Sequence, residues 1–76
     1  MTFQEWQATR KWHDDLSAAI DCDLDGAGGF EYEASHILAR EWGFAVQIGT
    51  TEAEFTSLKE AEAYLWAEWA DSEING

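Results

Sequence analysis

The chain has 76 residues, with sixteen Asp and Glu against four Lys and Arg, a formal net charge of -12. That length gives one domain near the size where a single core only just suffices, and the charge works against the compact state by self-repulsion. It argues against direct binding to nucleic acid and to anionic membranes, no apolar run approaches the roughly 20 residues of a membrane span, and no basic region leads into an apolar one as in a secretory signal.

Leu, Ile, Val and Phe together make up 14 residues, a low share that with this charge leans towards disorder. Five Trp, two Tyr and twelve Ala lift the hydrophobic fraction to 46% and reverse that inference. Each large aromatic buries about 150–250 Å², so residues 1–76 are read as one folded acidic domain with an aromatic-rich core. Cys22 is the sole cysteine, which excludes an internal disulfide and a cysteine zinc site and favours a reducing cytosol.

Thr2-Phe3-Gln4-Glu5 has the form of a capping box. Phe3, Trp6, His13, Leu16 and Ile20 then recur at helical spacing, predicting a first helix over 3–21. Asp21 to Gly29, with three acids and three glycines, is loop chemistry. Phe30 to Trp42 carries two patterns. Phe30, Tyr32, Ala34, His36 and Leu38 alternate as in a strand, whereas Phe30, Ala34, Ile37 and Leu38 fit a helix. Glu31 and Glu33 at the start, Arg40 near the end and Gly43 beyond it tip the reading to a helix over 31–42. Phe44, Val46 and Ile48 alternate, Gly49-Thr50-Thr51 turns the chain, and Ala53 and Phe55 continue the pattern, which predicts a hairpin over 44–56. Ser57-Leu58-Lys59-Glu60 is a second capping box and opens a helix over 57–71 with Leu58, Ala61, Leu65 and Trp69 inward. The expected fold is therefore a small α+β domain, α-α-β-β-α, with a two-stranded antiparallel hairpin. A three-stranded α-β-β-β-α arrangement that uses residues 30–38 is the alternative.

Asp21-Cys22-Asp23-Leu24-Asp25-Gly26 resembles the opening of an EF-hand loop, with oxygens at positions 1, 3 and 5 and Gly at 6. The closing bidentate Glu at position 12 is replaced by Tyr32, between Glu31 and Glu33, so no calcium site tighter than about millimolar is expected. His13 and His36 have no metal-ligand spacing and read as half-buried or surface residues. The acids around Cys22 raise its thiol and suppress a nucleophile. With no phosphate loop, nucleophile or metal motif, the chain is read as a non-enzyme that needs no cofactor.

The acids themselves form the strongest pattern: Asp14, Asp15, Asp21, Asp23, Asp25, Glu31, Glu33, Glu52, Glu54, Glu60, Glu62, Glu68 and Asp71. Pairs at i, i+2 in extended chain lie roughly 6.5 Å apart, a spacing comparable to a row of phosphates, and their natural targets are Lys and Arg clusters that hold DNA or RNA. Trp66, beside the buried Trp69 face, is a candidate anchor.

In size, charge and lack of catalytic motifs the chain resembles the phage-encoded inhibitors of bacterial defence, the anti-CRISPR and antirestriction DNA mimics. That resemblance implies an inhibitor in the bacterial cytoplasm that occupies the basic nucleic-acid-binding surface of a protein or ribonucleoprotein complex. The alternatives are an antitoxin or regulatory protein that neutralises another basic partner, and a degenerate EF-hand-like calcium module. The aromatic content also permits a homodimer.

Overall fold

A computed structural model of the chain describes residues 2–20, 27–48 and 51–70, with the side chains of Ile20, Trp69 and Ala70 left aside. Its elements in chain order are α1 (Phe3–Gln7), β1 (Lys11–His13), α2 (Leu16–Ile20), β2 (Gly29–Tyr32), β3 (Ser35–Arg40), β4 (Gly43–Ile48), β5 (Thr51–Phe55) and α3 (Leu58–Leu65), followed by a π-helical turn at Trp66–Ala70. The five strands form one antiparallel meander in the order β1-β2-β3-β4-β5. The expected α-α-β-β-α fold is thus corrected to a strand-rich domain. The residues read as a hairpin are the last two strands of five, and the three-stranded alternative also counts too few.

The predicted helix over 3–21 is three elements. Thr2 caps α1 as expected, its hydroxyl accepting from the Glu5 amide while the Glu5 carboxylate accepts from the Thr2 amide. The helix then stops because the Thr9 hydroxyl donates to the Trp6 carbonyl at 2.6 Å, a side-chain bond that competes with helix propagation. The chain continues as β1, with Trp12 opposite Phe30. Asp15 restarts a helix, its carboxylate accepting from the Ala18 amide and the Ser17 hydroxyl.

The predicted helix over 31–42 is a β-hairpin. Tyr32 pairs with Ser35 and Phe30 with Ile37, so a two-residue turn at Glu33-Ala34 puts positions seven apart side by side. Seven is also two turns of a helix, which is why this hairpin carries a helical signature. The turn lacks Gly or Asn, and Ala34 adopts φ 66°, a left-handed conformation that costs a non-glycine residue about 1–2 kcal/mol. Tertiary contacts hold it there: the Glu33 amide donates to the Thr9 hydroxyl at 2.8 Å and the Glu33 carbonyl accepts from Trp6 Nε1 at 3.1 Å.

Both faces of the sheet carry helices. On one, Trp6 of α1 and Ala61 and Leu65 of α3 pack with Tyr32, Ile37 and Val46. Trp6 is fully buried and stacks on Tyr32 with ring centroids 4.4 Å apart. On the other, Leu16 of α2 packs on Leu38 and Ala45. Neighbouring Ile37 and Leu38 are therefore both buried, which explains why β3 does not read as a half-buried strand. Gly43, at φ 149°, joins β3 to β4 where a Cβ would collide with the Phe55 carbonyl oxygen.

Candidate functional site

The site begins with how the fold sorts its carboxylates. Along α3, Leu58, Ala61 and Leu65 form the inward stripe, and Glu62 falls on the same stripe by helical spacing. It is 1% exposed. A buried charge is tolerated only when it is paired and hydrogen-bonded, and Glu62 is both. One carboxylate oxygen, Oε1, accepts from Gln7 Nε2 at 2.8 Å; the other, Oε2, accepts from the Tyr32 hydroxyl at 2.6 Å and from the Arg10 guanidinium at 3.2 Å. Burial first, and the adjoining Glu62 carboxylate second, push the Tyr32 phenol far above its usual range, so it remains a donor. Arg10 also lies 5.4 Å over the Phe30 ring. The network ties α1 and the segment after it to β2 and α3.

Glu62 is therefore corrected: its carboxylate is interior and removed from the acidic surface. Trp66 is half-buried against the core, with its ring 5.8 Å from Phe3 and 5.4 Å from Trp6, so it packs against core aromatics. Asp21, Asp23, Asp25 and Asp71, and with them the EF-hand-like segment, lie outside the described residues.

The other predicted acids are at the surface. Asp14 and Asp15 are exposed between β1 and α2. Asp14 accepts from Trp12 Nε1 at 2.9 Å. Hydrogen bonds from Ser17 and then Ala18 hold the Asp15 carboxyl below its ordinary range. Glu31 has 43% of its side chain exposed, and its Oε1 lies 2.8 Å from His13 Nε2. By register Glu31, Glu52 and Glu54 share the sheet face that also carries α2. Glu33 is exposed at the β2–β3 turn, and Glu60 and Glu68 are exposed on the C-terminal helical segment. The fold thus gathers Glu31, Glu52 and Glu54 on one face and sets Glu60 and Glu68 elsewhere.

Counted over the described residues, ten carboxylates are at least partly exposed, against the four cations Arg10, Lys11, Arg40 and Lys59, of which Arg10 pairs with buried Glu62. The sequence reading missed two exposed aromatics, Trp12 at 49% and Trp42 at 50%. It also missed Arg10, Gln7 and Tyr32 as partners of Glu62. The available signal was an acid inside the Leu58-Ala61-Leu65 stripe, which requires a donor from elsewhere in the chain.

Among the described residues, no group of three or more His, Cys, Asp or Glu side chains is placed to hold a metal ion, and no helix is long and apolar enough to cross a membrane. No protein-family model, no curated protein and no solved structure matches this chain.

Proposed function

We propose that this protein is an inhibitor that binds the basic nucleic-acid-binding surface of another protein or ribonucleoprotein, with a CRISPR effector complex the first candidate, and that it does so in the cytoplasm of a bacterial cell without catalysis. The observation that supports this reading is the surface charge: ten exposed or half-exposed carboxylates among the described residues, spread over the helices, turns and sheet face, against four cations, one of which pairs with buried Glu62. Interspersed charges of both signs would serve solubility; a field of one sign steers a partner of the other.

Association is expected to slow steeply as salt rises and the Debye length falls below about 10 Å. Exposed Trp12 and Trp42 are the candidate anchors that set dissociation. Reversing Glu52 and Glu54 together, or Glu60 and Glu68 together, weakens binding more than reversing Glu5. Comparison of the two pairs identifies the binding face. The deciding experiment is competition: target pre-bound to the protein fails to load DNA or RNA. Simultaneous binding of nucleic acid and protein to the target refutes occlusion.

A further inference from the structure

The two edges of the sheet differ. The β1 edge is three residues long and begins with exposed Lys11. The β5 edge runs over Thr51–Phe55, about 17 Å of extended chain, with no proline and no bulge to blunt it. Ile48 pairs with Thr51 across two intervening residues, a closure in which the two exchange both their N–H···O bonds. Pairs then alternate along the ladder, so Val46 with Ala53 and Phe44 with Phe55 are hydrogen-bonded too. Glu52 and Glu54 therefore turn their own N–H and C=O outward. Among the described residues no group bonds to those outward atoms, and neither carboxylate has a hydrogen bond or ion pair.

The side chains of this edge are sorted by the same alternation. Glu52 and Glu54, both exposed, lie roughly 6.5 Å apart on the face that carries α2. Thr51, Ala53 and Phe55 lie on the face that carries α3, where half-buried Phe55 and Tyr64 have ring centroids 5.2 Å apart. An incoming strand thus meets two acids on one face and an apolar margin on the other. A second copy of the chain is a poor occupant. Antiparallel pairing of two copies of β5 about Ala53 sets Glu52 opposite Glu54 twice, and like charges directly opposite destabilise a sheet. The acids guard the edge against self-association, and the same geometry admits a strand with cations at alternate positions.

We propose that the β5 edge is the docking site for an extended segment of the basic partner, with Lys or Arg at every second position, which adds to the sheet as an antiparallel strand. The inference rests on the proposed function for the identity of the partner, and on the register of β4 and β5 for the site itself. Each cation stands directly opposite Glu52 or Glu54 in a hydrogen-bonded pair, with Cα atoms about 5.5 Å apart. Main-chain bonds then supply affinity, and the alternation of charge selects the segment.

The test titrates the full chain with an acetylated, amidated five-residue peptide of valine carrying arginine at its second and fourth positions, followed by backbone amide resonances and amide exchange. Binding is expected to saturate with a dissociation constant of about millimolar, to shift resonances along residues 51–55 and to slow exchange at the Glu52 and Glu54 amides. N-methylation of the two arginine amides keeps the charge and removes the donors that face β5, so it should weaken binding about tenfold. Placing the two arginines side by side should do the same. In the protein, Glu52→Gln combined with Glu54→Gln should weaken binding about tenfold. Glu54→Pro removes an outward N–H and no bond to β4, so it should weaken binding more than Glu54→Gln does. If Glu54→Pro does not fold, the N-methylated peptide decides the point. Shifts that do not saturate, or equal binding by the N-methylated and adjacent-arginine peptides, overturn the site and leave an edge that is only guarded. Peptide binding at β5 without inhibition of nucleic-acid loading would remove the proposed function and keep the site. Inhibition that Glu54→Pro leaves intact would do the reverse.

Discussion

Replacing Glu62 with Gln separates the two roles that carboxylates play in this chain. The substitution removes one of sixteen acidic charges, which relieves surface repulsion by a few tenths of a kcal/mol at most if the residue is exposed. But Glu62 is interior and accepts three hydrogen bonds, at 2.6, 2.8 and 3.2 Å. Hydrogen bonds to a charged group are worth about 1.5–3 kcal/mol each and do not add. The amide side chain would keep the volume and one acceptor oxygen, and Arg10, 39% exposed at its side chain, recovers part of its hydration. The buried Tyr32 hydroxyl cannot. The expected net loss is about 2–3 kcal/mol, set against a total of roughly 4–11 kcal/mol for a domain this long. Urea denaturation is the appropriate assay, because guanidinium chloride would screen the surface charge as it unfolds the chain. Glu54→Gln, exposed on β5, serves as the control and should stay within about 0.5 kcal/mol of the parent. Tyr32→Phe should lose a comparable amount to Glu62→Gln, and the double variant should lose less than the sum. If Glu62→Gln matches the control, the carboxylate does not anchor the fold and the reasoning fails.

Ala34→Gly should stabilise the protein by about 0.5–1 kcal/mol, the relief at φ 66° exceeding the extra backbone entropy of Gly; a loss in thermal or urea midpoint would contradict the turn geometry. Gly43→Ala should destabilise by more than about 2 kcal/mol, since its Cβ would run into the Phe55 carbonyl oxygen in a conformation reserved for glycine, and an unchanged urea midpoint would refute the β3–β4 turn. His36 is held below its ordinary pKa by burial, so the unfolded chain binds more protons near and below pH 6.5 and stability falls as pH drops through that value. Urea midpoints between pH 7.5 and about 5.5 should show a fall that His36→Asn reduces. An identical slope in both proteins would show that His36 does not govern the dependence.

Local signals and tertiary ones differ in what they leave in a sequence. The Thr2 cap, the Ser57 cap and the alternation of Phe44, Val46 and Ile48 act within a few residues, and each stands at the start of a helix or along a strand. The β2–β3 hairpin carries no turn signal because Trp6 and Thr9, more than twenty residues upstream, impose the turn on Glu33. Its pairing of Phe30 with Ile37 then gives a spacing that a helix shares. The first segment reads as continuous because Phe3, Trp6, His13 and Leu16 recur at helical intervals, yet Leu16 serves the opposite face of the sheet from Trp6. For the acids, charge alone is legible. Which of them points inward depends on the stripe of α3 and on a cation 52 positions away, and no local count contains that.

The same arrangement explains how so acidic a chain holds a fold and keeps its field. Self-repulsion among surface acids is spread over the molecule and weakened by solvent and salt, whereas burial is concentrated: Trp6, Tyr32, Ile37, Val46 and Leu65 are nearly or wholly removed from water, each aromatic contributing about 150–250 Å². Aromatic burial therefore offsets repulsion without needing cations at the surface. Glu62, placed inside, pairs with Arg10, whose side chain stays 39% exposed, so the pair that secures the core sets one surface cation against an interior carboxylate. Core and surface are coupled in this way, since one of the few cations is held by an interior carboxylate and the exposed carboxylates keep their charge. Arg10→Met tests that coupling from the other side. It leaves Glu62 with Gln7 and Tyr32 but without a countercharge, so stability should fall by about 3 kcal/mol or more, while binding to a basic partner, measured on the folded fraction at low salt, should change little. A loss of partner affinity as large as the loss of stability would mean that Arg10 itself touches the partner, and the division between an interior pair and an exterior field would have to be abandoned.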